Sequence, residues 1–89
     1  MEQRFITGQR VYVYSFKLNL NKINKDMYGY VEYAEDVSDT DWLGDIEYNY
    51  QNLSIVLDNG KEIYIRQNRY LKRYSAIPVQ ELNKMLGVS

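Results

Sequence analysis

The sequence predicts a small, mostly β domain of four to five antiparallel strands followed by a short C-terminal helix. Three observations carry that expectation. Apolar and aromatic residues alternate with a period of two in several short runs. An Asp58-Asn59-Gly60 turn joins two of those runs. Pro78 to Leu86 carries one apolar stripe at helical spacing. At 89 residues, the chain is expected to form a single domain spanning 1–89, with a thin core.

Gly8 to Lys17 places Val11, Val13 and Ser15 on one side and Tyr12, Tyr14 and Phe16 on the other, a strand pattern. Leu18 to Asp26, rich in Asn and Lys, reads as a loop. Met27 to Ala34 alternates again, with Gly29, Val31 and Tyr33 opposite Tyr28, Tyr30 and Glu32. Glu35 to Gly44 is polar and acidic and reads as a long loop. Ile46, Tyr48 and Tyr50 then share a face, while Leu53, Ile55 and Leu57 continue on the opposite parity. Such a change implies a bulge or break, here near Gln51-Asn52.

Leu53 to Arg66 is a hairpin, and the apolar pattern decides its loop. A two-residue Asn59-Gly60 loop would put Leu53, Ile55 and Leu57 on the same face as Glu62 and Arg66. A three-residue loop gathers Leu53, Ile55, Leu57, Ile63 and Ile65 on one face. Ser54, Val56, Glu62, Tyr64 and Arg66 then take the other. The second register is expected, with a type I turn and Gly60 as a left-handed bulge residue. Gln67 to Tyr74 has no clean period. In the helix, Pro78 suits the first turn, Val79, Leu82, Met85 and Leu86 form the stripe, and Gly87 is placed to end it.

Phe5 to Val13, Gly29-Tyr30-Val31 and Ile55 to Glu62 together resemble the layout of SH3-like small barrels. Those open with a glycine turn before a valine-rich strand and continue with a Gly-x-Val strand and an Asp-x-Gly hairpin. The resemblance implies a small SH3-like barrel. The proline-binding aromatic layout of signalling SH3 domains is absent. Such barrels serve nucleic-acid, ribosome and protein binding alike, so the resemblance chooses no function. The size and the Asn-, Lys- and Tyr-rich composition are also similar to small proteins of phages and mobile elements of low-GC bacteria.

Several chemistries are disfavoured. The chain has no histidine and no cysteine, which removes the usual general base, thiolate nucleophiles and common zinc sites. No Gly-rich phosphate loop is present. No enzyme activity, cofactor or metal is expected. Met1 to Arg10 lacks the apolar run of a signal sequence, and no stretch is long enough to cross a bilayer. The expectation is a cytoplasmic protein with no membrane role, a monomer or weak homodimer.

Two charged surfaces compete as binding face. Glu32 to Glu47 holds seven acids and no Lys or Arg: Glu32, Glu35, Asp36, Asp39, Asp41, Asp45 and Glu47. Trp42 and Leu43 sit inside it. An aromatic anchor ringed by charge suits a protein partner that is basic; a merely solvated loop is the plain alternative. Asp36, Asp39 and Asp41 lack the spacing of an EF-hand loop. The second surface runs from Lys61 to Arg73, where Lys61, Arg66, Arg69, Lys72 and Arg73 face only Glu62, with Tyr64, Tyr70 and Tyr74 interleaved. Cations hold phosphates and rings stack on bases, so this segment is the alternative, a nucleic-acid site. An isoelectric point near 5.3 counts against it. A third candidate is an aromatic patch: if the valines face the core, Tyr12, Tyr14, Tyr28 and Tyr30 turn outward.

Overall fold

The computed structural model describes residues 5–40, 42–45, 47–66 and 73–87. Five strands form one antiparallel sheet: β1 (Arg10–Ser15), β2 (Tyr28–Thr40), β3 (Glu47–Leu57), β4 (Glu62–Arg66) and β5 (Tyr74–Pro78). Their order is β4-β3-β2-β1-β5, so the sheet is open, with β4 and β5 at its edges. A 3-10 turn, Lys25–Met27, precedes β2, and helix α1 (Val79–Leu86) follows β5 directly.

The hairpin register is the one the apolar pattern selects. Leu53 pairs with Ile65 and Ile55 with Ile63, and all four side chains are buried. Gly60 sits at a φ of 87° and donates its N–H to the Leu57 carbonyl at 2.8 Å. A residue with a side chain adopts that φ only with strain, which is why glycine closes this turn.

The inner face of the sheet gathers Phe5, Val11, Val13, Val31, Leu53, Ile55, Leu57, Ile63, Ile65 and Ala76 into one core. Every strand contributes and α1 does not. Gly29 permits the close approach of β2 to β3. A Cβ there would meet the Val56 carbonyl and lie 2.9 Å from the Leu57 Cα. Gly29→Ala is expected to lower unfolding free energy by about 2 kcal/mol in a urea titration, because backbone rather than a side chain must move.

Phe5 closes the core from outside the strands. Its N–H donates to Gln51 Oε1 at 2.7 Å, and Gln51 Nε2 donates to the Phe5 carbonyl at 2.9 Å. The amide thus imitates a strand pairing, an arrangement with no sequence signature.

Four expectations need correction. The bulge lies on β2, between Val31 and Tyr33, and β3 runs unbroken past Gln51-Asn52. The one-residue slip turns Tyr33 outward and Ala34 inward, so Tyr33 does not share a face with Val31. Glu35 to Gly44 is not a long loop: β2 continues to Thr40 because β3 supplies a hydrogen-bonding partner along its whole length. Residues 74–78, which take in the end of the unpatterned segment at Tyr74 and the expected helix start at Pro78, are strand β5, which pairs with β1 from Val11–Pro78 to Ser15–Tyr74. Pro78 is tolerated because it ends an edge strand, where no ladder donor is needed.

The fourth correction concerns the tyrosines. Tyr12 does not face solvent. It is buried with Ile77 and Leu82, and Tyr14, Leu18, Ile23, Met27 and Tyr28 pack around them. Helix α1 lies on this side, so β1 is apolar on both faces. Of the helical stripe, Leu82 is buried while Met85 and Leu86 are exposed. Gly87 ends the helix at a φ of 77° and bonds back to the Asn83 and Lys84 carbonyls.

An ion pair ties β1 to the hairpin turn. Arg10 donates from both terminal nitrogens to Asp58 at 2.6 and 2.7 Å, and its guanidinium lies 4.6 Å from the Tyr30 ring centroid. The hydrogen bond from Arg10 is the main influence that holds the Asp58 carboxyl below the ordinary aspartate range; desolvation opposes it, and the positive charge of Arg10 adds to it. A depressed carboxyl stabilises the fold above its unfolded pKa of about 3.9 and loses that contribution as the pH falls through the folded value. In thermal melts between about pH 5 and pH 2, Asp58→Asn is expected to show a shallower acid loss than the native chain.

Candidate functional site

Beyond Asn52, which is buried and still pairs with Arg66 of β4, strands β2 and β3 continue as a two-stranded ribbon, paired from Asp36–Gln51 to Thr40–Glu47. At about 3.4 Å per residue, those pairs span about 14 Å. The molecule measures 44 Å along its longest axis, against 27 and 21 Å across. Among the described residues, the ribbon is polar on one face and partly apolar on the other. One face pairs Ser38 with Asn49, and Ser38 Oγ donates to Glu47 Oε1 at 2.8 Å. The other face pairs Val37 with Tyr50, both half-buried.

The turn at the ribbon's end carries Trp42, 91% exposed, and Leu43, 60% exposed. Gly44 follows at a φ of 76°. Glu35, Asp36, Asp45 and Glu47 are all exposed along the ribbon and its end. The structure thus brings most of the expected acidic face onto one projecting element, with Trp42 at its tip. Asp41 and the Asp39 side chain lie outside the described residues, as do Ile46 and the Tyr48 side chain. Among the described residues no group of three acidic side chains converges to hold a metal ion.

The basic segment is dispersed differently. Lys61 and Arg66 are exposed at the two ends of β4, and Arg73 is exposed just before β5. Tyr74 is half-buried against the inner core, so its ring is not a free stacking platform. Arg69, Tyr70 and Lys72 lie outside the described residues. The outward aromatics are Tyr30, Tyr33 and Tyr64, which flank Val56 and Ser54 on the outer face of β2, β3 and β4. Of the four tyrosines expected to form a patch, only Tyr30 belongs to this group. Tyr28 instead packs on Tyr12, with ring centroids 5.0 Å apart.

No family model, curated protein or solved structure matches this chain. The functional reading therefore rests on the residues themselves. One feature had no reading from sequence, and another corrects one, because Phe16, expected within the first strand, lies in a turn beyond Ser15. Asn52 Oδ1 is buried on β3 without a hydrogen-bond partner, a cost of about 1–3 kcal/mol. Phe16 is fully exposed at a φ of 64°, and Lys17 donates its N–H across it to the Ser15 carbonyl at 2.7 Å, forming a γ-turn. Turn strain at a bulky residue leaves no mark in composition or periodicity.

Proposed function

We propose that this chain is a non-catalytic protein-binding module whose contact surface is the tip of the β2–β3 ribbon. The observation that carries the reading is the 91% exposure of Trp42 beside exposed Leu43, on an element that adds nothing to the core. A buried indole anchor surrounded by a charged rim is the layout of binding hot spots. The ribbon acids would steer a basic partner to the tip and exclude acidic ones, while Trp42 and Leu43 supply the apolar area. A partner that ordinarily holds nucleic acid has the required positive surface, so the chain would act as an inhibitor or adaptor. A phage or mobile-element origin belongs to the same proposal and is tested by the gene neighbourhood. So does the finer description of the fold as an SH3-like small barrel, which the five antiparallel strands and the glycine-closed hairpin support.

The test is capture from extract of the native host on immobilised native chain and on Trp42→Ala. A partner retained by the first and lost by the second supports the reading. Equal retention on both, with the Trp42→Ala fold intact by circular dichroism, overturns it.

The nucleic-acid alternative keeps one specific observation: Tyr64 and Arg66 are exposed on β4 beside Tyr33. It requires oligonucleotide binding that weakens steeply with salt.

A further inference from the structure

We propose that the end of the molecule opposite the ribbon tip is a second docking surface, and that its occupant is the Trp42 tip of another copy of this chain. It rests on the ribbon-tip reading for the choice of Trp42 as anchor and assigns that anchor a partner.

The second surface is built around Phe16. Its ring is 102% exposed, and the γ-turn at Ser15–Lys17 holds the backbone in the left-handed region, where a bulky residue is strained. Lys17, Lys22 and Lys25 are exposed in the same β1–β2 connection. The fold adds two more cations. β5 opens with Tyr74 opposite Ser15, which brings exposed Arg73 alongside Phe16. The hairpin turn returns to this end because Asp58 donates its N–H to the Tyr28 carbonyl, and exposed Lys61 follows it. Asp58 is engaged by Arg10, and Asp26 and Glu62, the latter next to Lys61, are exposed acids of this end.

Charge is segregated along the chain in the same way. Residues 28–60 hold eight acids and no Lys or Arg; the remaining residues hold all eleven bases and four acids. The net charge of −1 conceals two opposed surfaces. Each end has an exposed aromatic residue with a charged rim, and the rims have opposite sign. The two ends cannot meet within one molecule, because the 13-residue strand β2 separates them. They can meet between copies. The contact joins unlike surfaces, so it is head-to-tail and can propagate.

The experiment is sedimentation velocity on the full chain at about 20 mM and about 0.5 M salt, conditions that lengthen and shorten the screening distance. The native chain is expected to gain mass with concentration at low salt and to return to monomer at high salt. Two variants separate the ends. Trp42→Ala spoils the tip. A triple change, Phe16→Gly, Lys17→Glu and Lys22→Glu, spoils the other end, and glycine at 16 relieves the positive φ, so the fold is retained. Each variant alone is expected to remain monomeric. Mixed in equal amounts they should form a dimer and stop there, because each keeps one intact end. A mixture that stays monomeric overturns the proposal, as does a single variant that assembles like the native chain. A native chain that remains monomeric yet captures a basic partner through Trp42 overturns this inference alone and leaves the ribbon-tip reading standing.

Discussion

Leu53→Ala is expected to destabilise the fold by about 2–5 kcal/mol, whereas Val56→Ala, three positions along the same strand, should cost less than about 1 kcal/mol. Leu53 has no solvent exposure and lies between Ala34 and Ile65 on the inner face. Val56 is half-buried on the outer face, between Tyr30 and Glu62. A domain of this size is stabilised by about 5–10 kcal/mol in all, so losing Leu53 removes a large share. No helix residue belongs to that core, so little can move in to fill the void. Urea denaturation followed by circular dichroism measures both variants. The contrast also tests the register. With a two-residue turn, Leu53 would share its face with Glu62 and Arg66, and the two costs would draw together or reverse.

The second large effect concerns binding. Trp42→Ala is expected to weaken partner affinity by about 2–4 kcal/mol, a thirtyfold to thousandfold rise in Kd, with no loss of stability. An indole that is 91% exposed contributes almost nothing to folded packing, so its removal separates binding from folding cleanly. Replacing Glu35 or Glu47 with Gln should act differently. Those carboxylates are rim charges, and their removal slows association and flattens its salt dependence more than it changes dissociation. Isothermal titration with the captured partner measures the first effect, and stopped-flow association at two salt concentrations measures the second.

Legibility from sequence followed the presence of a core. Leu53 to Arg66 was readable because turn chemistry and apolar alternation agree: only one register puts Leu53, Ile55, Ile63 and Ile65 together. The ribbon was not readable as strand. Val37 is the one apolar residue between Glu35 and Thr40, too few to set an alternation, so this stretch looks like loop although its backbone is paired with β3. The bulge was misplaced as well. The parity change near Gln51-Asn52 marks where β3 leaves the core, while the extra residue sits on β2 after Val31. Strand β5 was missed because residues 74–78 take their extended form from pairing with β1, a contact distant in sequence. Tyr12 could not be placed because β1 buries both faces, and only the position of α1 covers the tyrosine side.

The candidate site was partly legible for a simpler reason. Seven acids without a base around one tryptophan is a compositional signal that survives any error in secondary structure. What composition could not supply was the geometry: the acids ride on a projecting ribbon and the indole stands at its end. The cationic end was harder. Its members come from three separate stretches of chain, around Lys17 to Lys25, at Lys61 and at Arg73, and only the strand registers bring them to the same end of the sheet.

Trp42 is the chain's one tryptophan, so its fluorescence reports the ribbon tip without labelling. The decisive measurement is its emission during titration with the partner that the native chain captures. The account expects a water-exposed, red-edge spectrum in the free protein and a blue shift that saturates with the same Kd as binding. Saturable binding that leaves the Trp42 spectrum at the red edge would contradict the ribbon tip as the contact surface.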